Sequence, residues 1–176
     1  MSTPSISDLQ DASRDDPDFP KDGILFKDLT PLLGDPKRFR GSLEHLAATA
    51  GDTKIDKVIG IDARGFIFAA GVAQILGAGF VPVRKKGKLP WTTREMAYSL
   101  EYGEATVEIH DDAIRPGDNI LLVDDLLATG GTAAAALKLL KAFDGNVVGA
   151  SFLIELSFLG GANKLDVENI NALITY

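Results

Sequence analysis

The chain has 176 residues, 45% of them hydrophobic, a formal net charge of −7 and no cysteine. A chain of this length can bury one hydrophobic core, so we expect a single domain over residues 1–176. The acidic balance argues against general nucleic-acid binding, and the lack of cysteine excludes disulfides, zinc–thiolate sites and a thiol nucleophile. Because the N-terminus is polar and no apolar stretch could span a bilayer, we expect a cytosolic protein with no membrane partner.

Apolar runs alternate with helix signals along the chain. A short helix is predicted at 6–13, then an apolar piece at 23–28, and Asp35 with Pro36 marks the start of a longer helix. Further helices are predicted at 64–76 and after residue 132, and strands at 58–61, 80–83, 99–102, 106–109, 120–123, 147–156 and 173–175. Residues 84–97 show no clear period. Strands that alternate with helices indicate an α/β fold with a mostly parallel, twisted sheet flanked by helices.

The segment 119–132, NILLVDDLLATGGT, is the strongest functional signal. Its apolar run predicts a buried parallel strand that delivers Asp124 and Asp125 at its C-terminal end, where ligands bind in open α/β sheets. Gly130 and Gly131 let the next turn approach an anion closely, and the amides that start the following helix favour negative charge. Small residues and hydroxyl donors complete the turn: Ala128, Thr129 and Thr132. The segment therefore predicts a phosphate cradle beside two carboxylates that suit ribose hydroxyls or a divalent cation.

A second turn between a strand and a helix contains Arg64, in the sequence GIDARGF. A guanidinium here can bind diphosphate oxygens through two parallel hydrogen bonds; the alternative is an ion pair with a carboxylate such as Asp62. The basic run at 84–88 is either an anion-binding lid or a solvated charge run. Trp91, in the aperiodic segment that follows, is either a dimer contact or a lid anchor.

Glu101 lies just after this segment, in SLEYG. It is either exposed and inert or, beside a closing loop, a general acid or base. Neither His45 nor His110 has metal-ligand spacing with another histidine, and no residue is assigned as a direct metal ligand.

Taken together, these segments resemble the adenine phosphoribosyltransferases, a branch of the type I phosphoribosyltransferase family. VDDLLATGGT carries the resemblance to the wider family, and GILFKD, LEYG and RKKGKLP together narrow it to the adenine-specific branch. IDARGF, VEIH and LIEL match as well, so the similarity covers nearly the whole chain. It implies a Rossmann-like core, a small N-terminal hood within residues 1–34 that recognises the base, and a flexible basic loop.

The resemblance implies that adenine and 5-phosphoribosyl 1-diphosphate react, with Mg²⁺, to give AMP and diphosphate, and that the enzyme is a homodimer. Residues 128–132 would hold the 5′-phosphate. Asp124 and Asp125 would bind the ribose hydroxyls directly or through water and a metal ion that the substrate diphosphate carries. The diphosphate would be bound by the turn Ala63, Arg64 and Gly65 and by Arg84, Lys85 and Lys88, the last group able to reach across a dimer interface.

The same resemblance implies how the base is read. Phe26 would stack on the purine, the backbone of Leu25 and Lys27 would pair with its amidine edge, and Leu156 would pack nearby. Two buried polar mismatches would then reject hypoxanthine. Glu101 would take the proton that adenine loses, Arg64 would act with it in catalysis, and Tyr102 would contact substrate.

One residue departs from the family pattern, because position 27 is commonly arginine and is lysine here. Little changes if only its backbone amide reads the base; the local geometry changes if its side chain acts through Asp28. Two other functions compete with this assignment. One is a phosphoribosyltransferase for a 6-oxopurine, which would lack the N-terminal hood sequence. The other is a non-catalytic regulator that senses phosphoribosyl diphosphate, which would usually carry an added DNA-binding domain.

Overall fold

The structure is a computed structural model that describes residues 3–18, 22, 25–99 and 103–176. It divides into two compact units, residues 1–45 and 46–176, which are described separately. Glu101 and Tyr102 lie outside the described residues. Among the described residues, no helix combines the length and the apolar character that a bilayer span requires.

The first unit is a small hairpin with short helices. Its elements are α1 (Ile6–Gln10), β1 (Arg14–Pro17), β2 (Leu25–Asp28), α2 (Thr30–Gly34) and the start of α3 (Pro36–Ala48). Ser5 caps α1 in a reciprocal capping box with Asp8, and β1 pairs antiparallel with β2. Asp35 accepts hydrogen bonds from the backbone at positions 37 and 38, which confirms the predicted start of α3.

One prediction for this unit was wrong in detail, and one helix was not predicted. The helix expected at 6–13 ends at Gln10, because the chain from Arg14 pairs with β2 instead. The helix α2 was not predicted, since five residues show no period. Its first turn is stabilised by Asp28, whose carboxylate accepts hydrogen bonds from the backbone and the hydroxyl of Thr30.

The second unit is a seven-stranded sheet in the order β5-β6-β4-β3-β7-β8-β9. Its strands are β3 (Lys57–Ile61), β4 (Gly79–Lys85), β5 (Thr93–Ser99), β6 (Glu104–His110), β7 (Asn119–Leu127), β8 (Asn146–Glu155) and β9 (Ile170–Thr175), and its helices are α4 (Gly65–Leu76) and α5 (Gly131–Leu140). The five strands from β4 to β9 in that order pair in parallel, and β5 and β6 add an antiparallel edge. This confirms the predicted mostly parallel α/β sheet.

Side chains alternate between the two faces of the sheet, and each face is covered by a helix. Ile59, Ile120 and Leu122 belong to one buried cluster with the apolar side of α5. Gly60 faces the other way, toward Ala69 of α4, and a Cβ at position 60 would lie 2.7 Å from that of Ala69. Each fully buried aliphatic side chain in such a core contributes about 1.5–3 kcal/mol.

Among the described residues, the predicted elements of the second unit differ from the structure at two places. Residues 100–102 of the strand predicted at 99–102 lie outside the described part of the chain. The aperiodic loop expected over 84–97 was wrong for its two ends, because Arg84 and Lys85 belong to β4 and β5 begins at Thr93. The polar residues of β5 hid its period, and the strand is held by pairing with β6. The strand predicted at 120–123 continues to Leu127, so the acidic pair lies inside β7 rather than after it.

Candidate active site

The two carboxylates of β7 lie beside the turn that starts α4. Asp125 is only 6% exposed, and its Oδ2 forms an ion pair with Arg64, whose Nε lies 2.7 Å away. Asp124 Oδ1 accepts a hydrogen bond of 2.9 Å from the backbone N–H of Asp125. The Asp124 carboxylate also packs on Gly65, where an added Cβ would lie 2.3 Å from Oδ1. Gly65 is therefore required by close approach, and the Arg64 pairing is with Asp125 rather than with Asp62.

Both members of this pair hold their protons more tightly than an ordinary aspartate. Burial raises the pKa of Asp124 well above its usual value, and the neighbouring charge of Asp125 raises it further. Burial also raises the pKa of Asp125, although the guanidinium of Arg64 opposes that shift. Two carboxylates that face one guanidinium leave excess negative charge, which suits hydroxyl donors or a cation from a ligand.

The glycine turn after β7 is fixed by a second glycine segment. Gly130 has φ of 77° and is the N-cap of α5, and a Cβ there would lie 2.4 Å from the carbonyl oxygen of Gly161. A Cβ at Gly161 would in turn lie 2.2 Å from the carbonyl oxygen of Ala128. Both positions therefore exclude any side chain, and the turn presents the N-terminal amides of α5 with little steric cover.

These segments enclose one cavity of about 310 Å³. Its lining combines the end of β3, the turn before α4, the acidic pair and the glycine turn, and consists of Ile61, Asp62, Ala63, Arg64, Asp124, Asp125, Leu126, Leu127, Ala128, Thr129, Gly130, Gly131, Thr132 and Ala133. The structure thus brings together both phosphate-type loops predicted from the sequence. Leu156 follows β8, and its N–H donates to the carbonyl of Leu127, one of the cavity-lining residues.

The basic segment at the end of β4 is hydrogen-bonded to a residue that lines this cavity. Arg84 Nε donates to Asp62 Oδ2 at 2.9 Å, and its Nη1 donates to the carbonyl oxygen of Lys88 at 3.1 Å. Lys85 and Lys88 are exposed. Asp62 directly precedes the turn that contains Arg64, so the guanidinium of Arg84 connects the basic segment to the edge of the cavity.

Three predicted base-binding residues belong to β2 in the first unit. Leu25 is exposed, and Phe26 and Lys27 are partly buried. Lys27 Nζ lies 2.5 Å from Asp15 Oδ1.

Asp28 has partners of its own. Hydrogen bonds from Thr30, together with one from Arg14, lower the pKa of Asp28 to about 2. The side chain of Lys27 thus forms an ion pair with Asp15, and the ion pair of Asp28 is made by Arg14.

Three residues of the second unit that contact the glycine turn or the basic segment were not predicted from the sequence. Gly161 supports the glycine turn, and Tyr98 on β5 lies 3.1 Å from Thr132 through their hydroxyl oxygens. Glu108 on β6 is only 3% exposed and accepts hydrogen bonds from the backbone N–H groups of Lys88 and Leu89. A glutamate between the buried apolar residues of a strand is a detectable signal for Glu108; the other two contacts depend on tertiary structure.

Comparison with known proteins agrees with this geometry. A family model described as the phosphoribosyl transferase domain matches residues 36–168. The adenine phosphoribosyltransferase of Acidothermus cellulolyticus is 57% identical over 161 residues, which cover 92% of this chain and 91% of the relative. That of Anaeromyxobacter dehalogenans is 55% identical over 163 residues, with 93% and 95% covered.

Solved structures give the same answer. The adenine phosphoribosyltransferase of Thermoanaerobacter pseudethanolicus has a TM-score of 0.93 at 48% identity, with 98% of this chain and 100% of that chain covered. The Saccharomyces cerevisiae enzyme, complexed with an imino-altritol bisphosphate and adenine, has a TM-score of 0.90 at 40% identity, with 96% and 97% covered. The family match, the close relatives and the shared fold therefore agree with the site, and the chain belongs to the adenine phosphoribosyltransferases of the type I phosphoribosyltransferase family.

Proposed function

We propose that the protein transfers the phosphoribosyl group of 5-phosphoribosyl 1-diphosphate to adenine, giving AMP and diphosphate in purine salvage. The observation that carries this proposal is the cavity in which the ion pair of Arg64 and Asp125 lies beside the glycine turn of α5. A phosphate needs free amides, ribose hydroxyls need carboxylates, and a diphosphate needs cations. One cavity and its edge supply all three.

The 5′-phosphate binds to the glycine turn, residues 128–132. The N-terminal amides of α5 and the hydroxyls of Thr129 and Thr132 are its donors, and the helix dipole favours its charge. Asp124 and Asp125 accept hydrogen bonds from the ribose hydroxyls. Their raised pKa values fit this role, because a donor or a cation from the ligand relieves the repulsion between them.

The diphosphate binds to the turn of Ala63, Arg64 and Gly65 and to three basic residues, of which Arg84 and Lys85 end β4 and Lys88 follows it. When diphosphate leaves, positive charge develops on the ribose ring and negative charge on the leaving group. Fixed cations near that group stabilise the transition state more than the bound substrate.

The base is recognised by the N-terminal hood, in which Phe26 stacks on the purine and the backbone of Leu25 and Lys27 reads its amidine edge. Leu156 packs against the base. We propose that residues 1–176 act as a single functional domain. Glu101 is the general base that accepts the proton of adenine, with Tyr102 beside it as a substrate contact.

We propose that Mg²⁺ enters the site bound to the diphosphate of the substrate. Among the described residues, no group of three histidine or acidic side chains is arranged to hold a metal ion. Magnesium usually keeps several waters and uses one or two carboxylates together with substrate phosphates, and Asp124 and Asp125 fit that limited role. When bound, the ion supplies charge neutralisation of the leaving diphosphate.

We also propose that the protein is a homodimer. Ile67 and Ile75 on α4 and Phe80 on β4 are large apolar side chains exposed on neighbouring elements. Large apolar side chains exposed on adjoining elements are a feature of many interfaces. The cytosolic location stays a prediction.

The direct test is to incubate the protein with phosphoribosyl diphosphate, Mg²⁺ and each purine base, and to identify the nucleotide formed. We expect AMP from adenine. An unpaired buried polar group costs about 1–3 kcal/mol, so two mismatches should favour adenine over hypoxanthine by at least about thirtyfold. Comparable turnover of hypoxanthine would assign the protein to the 6-oxopurine enzymes, and binding without turnover of any base would indicate a regulator.

The general base has its own test. Glu101→Gln should lower the rate of the chemical step by about 10²–10⁴ in single-turnover kinetics, since the amide cannot accept a proton. Binding of AMP should change much less. A variant with nearly the wild-type rate would show that adenine loses its proton to another group.

A further inference from the structure

Among the described residues, Glu108 has a buried carboxylate that the proposed reaction does not use. It lies on β6 between the buried residues Val107 and Ile109, and it is 3% exposed. Burying a charge is unfavourable unless hydrogen bonds satisfy it, so a merely structural position in this row would be occupied more stably by an apolar residue. The carboxylate therefore needs a reason that packing alone does not supply.

Glu108 binds the turn that follows β4, residues 86–89, which we name the basic turn. Its Oε1 accepts hydrogen bonds of 2.8 Å from the backbone N–H groups of both Lys88 and Leu89. Burial raises its pKa, but hydrogen bonds from the backbone of Leu89, Gly87 and Lys88 outweigh burial, and the pKa of Glu108 lies below its ordinary value. The carboxylate is therefore charged at neutral pH, and it accepts hydrogen bonds from two consecutive amides of the turn.

The basic turn is connected to the diphosphate site by a continuous series of contacts. The carbonyl oxygen of Lys88 accepts from Arg84 Nη1, and Arg84 Nε donates to Asp62, which precedes the Arg64 turn. Arg84 lies opposite Glu108 across the β4–β6 pair, yet its guanidinium is directed to Lys88 and Asp62. Because the carboxylate is occupied by backbone amides, it leaves Arg84 available to the site.

We propose that Glu108 is a positioning residue for diphosphate: it fixes the basic turn so that Arg84 and Lys88 present their charges to the leaving group. This inference rests on the proposed function of that site. The positioning role predicts different effects on two ligands, because AMP carries no diphosphate and does not need the basic turn. A residue that only stabilised the fold would affect AMP and diphosphate alike.

The test compares Glu108→Leu, which removes the acceptor, with Glu108→Gln, which keeps one neutral acceptor oxygen. The matched control is Glu95→Gln, which lies opposite Glu108 in the β5–β6 pair but is exposed and forms an ion pair with Lys86. Affinities for Mg²⁺–diphosphate and for AMP are measured by titration, together with KM for phosphoribosyl diphosphate and for adenine.

We expect Glu108→Leu to weaken the binding of diphosphate and to raise KM for phosphoribosyl diphosphate, each at least tenfold. The effects of Glu108→Gln should lie between those of Glu108→Leu and the wild type. AMP affinity and KM for adenine should stay within twofold, as should all four values in the control. Equal losses for AMP and diphosphate, or no loss for either, would overturn the positioning role. A wild-type protein that makes no AMP would instead refute the proposed function.

A measurement on the wild-type protein covers the case in which the variants do not fold. Backbone hydrogen exchange at Lys88 and Leu89 should be slow without any ligand, because Glu108 already binds both amides. Rapid exchange at these two amides would overturn the proposal independently of any variant.

Discussion

Glu108 on β6 and the Asp124–Asp125 pair on β7 are carboxylates within one sheet, yet their pKa values are shifted in opposite directions. Glu108 is buried among backbone N–H donors that lower its pKa below the ordinary value. The pKa values of Asp124 and Asp125 are raised because burial outweighs the opposing charge of Arg64, and the charge of Asp125 raises the pKa of Asp124 further. The difference shows that burial alone does not decide the charge state. A satisfied carboxylate organises the protein, whereas an under-satisfied pair is suited to a ligand.

The largest effect that tests this comparison is expected from Asp124→Asn. The amide keeps the shape and can still accept the hydrogen bond from Asp125, but it loses the charge that binds ribose hydroxyls. A hydrogen bond to a charged group contributes about 1.5–3 kcal/mol, so kcat/KM for phosphoribosyl diphosphate should fall roughly a hundredfold. Asp112→Asn, at an exposed position, is the control. If both variants react like the wild type, Asp124 does not contact substrate.

Glu108→Gln should lower the stability of the folded protein. Two backbone amides would lose a charged acceptor, which should lower the free energy of unfolding by about 1–3 kcal/mol. Urea unfolding followed by circular dichroism measures this change. An unfolding midpoint equal to that of the wild type would mean that the charge of Glu108 contributes nothing to stability, and the contrast with the acidic pair would fail.

The pH dependence of stability should separate the two sets by sign. The raised pKa of Asp124 means that the folded protein keeps a proton that the unfolded chain has released. This favours folding at low pH, and the advantage is lost as pH rises from the ordinary value of 3.8 through the folded-state pKa. The stability of Asp124→Asn relative to the wild type should therefore increase as pH rises from 3.8 to the folded-state pKa of Asp124.

For Glu108 the sign is reversed, because its folded-state pKa is lowered. Its contribution is present above the ordinary value of 4.5 and is lost as pH falls through the folded-state pKa. The stability deficit of Glu108→Gln should therefore shrink on acidification. Urea titrations of both variants between acid and neutral pH measure the two trends, and parallel trends would contradict the opposite assignments.

The smallest effect is expected at the neutral part of the site. Tyr98→Phe removes the hydroxyl that lies 3.1 Å from Thr132 Oγ1. A neutral hydrogen bond contributes about 0.5–1.5 kcal/mol, so KM for phosphoribosyl diphosphate should rise by roughly tenfold or less. Steady-state kinetics measures it. An increase as large as that of Asp124→Asn would mean that the cradle, not the charged pair, dominates binding.

The sequence predicted the parts of this site that are local in the chain. The run from the buried strand through Asp125 to Gly130 contains its strand, its turn and its helix start in one segment, so a phosphate cradle could be predicted without tertiary information. The turn with Arg64 follows the same pattern. The alternation of strands and helices likewise predicted the parallel sheet.

Contacts between distant segments could not be predicted in this way. The approach of Gly161 to Gly130 depends on how the chain returns after β8, and the partner of Arg64 proved to be Asp125, where Asp62 had been the alternative. The strand β5 lacks a clear apolar period because few of its side chains pack on the core, Met96 and Tyr98 among them, and its backbone is paired with β6. The predicted role of Glu101 stays a prediction, since that residue lies outside the described part of the chain.

The central claim is that the acidic pair destabilises the free protein and is retained for the ligand. The most direct measurement is urea unfolding of the wild type and of Asp124→Asn, each with and without AMP. Without AMP we expect the variant to be more stable, by about 1 kcal/mol. At an AMP concentration of about one hundred times the wild-type Kd, the wild type should gain about 2.7 kcal/mol and the variant less than about 1 kcal/mol. A variant that is less stable without AMP, and that gains as much from AMP as the wild type, would contradict the claim.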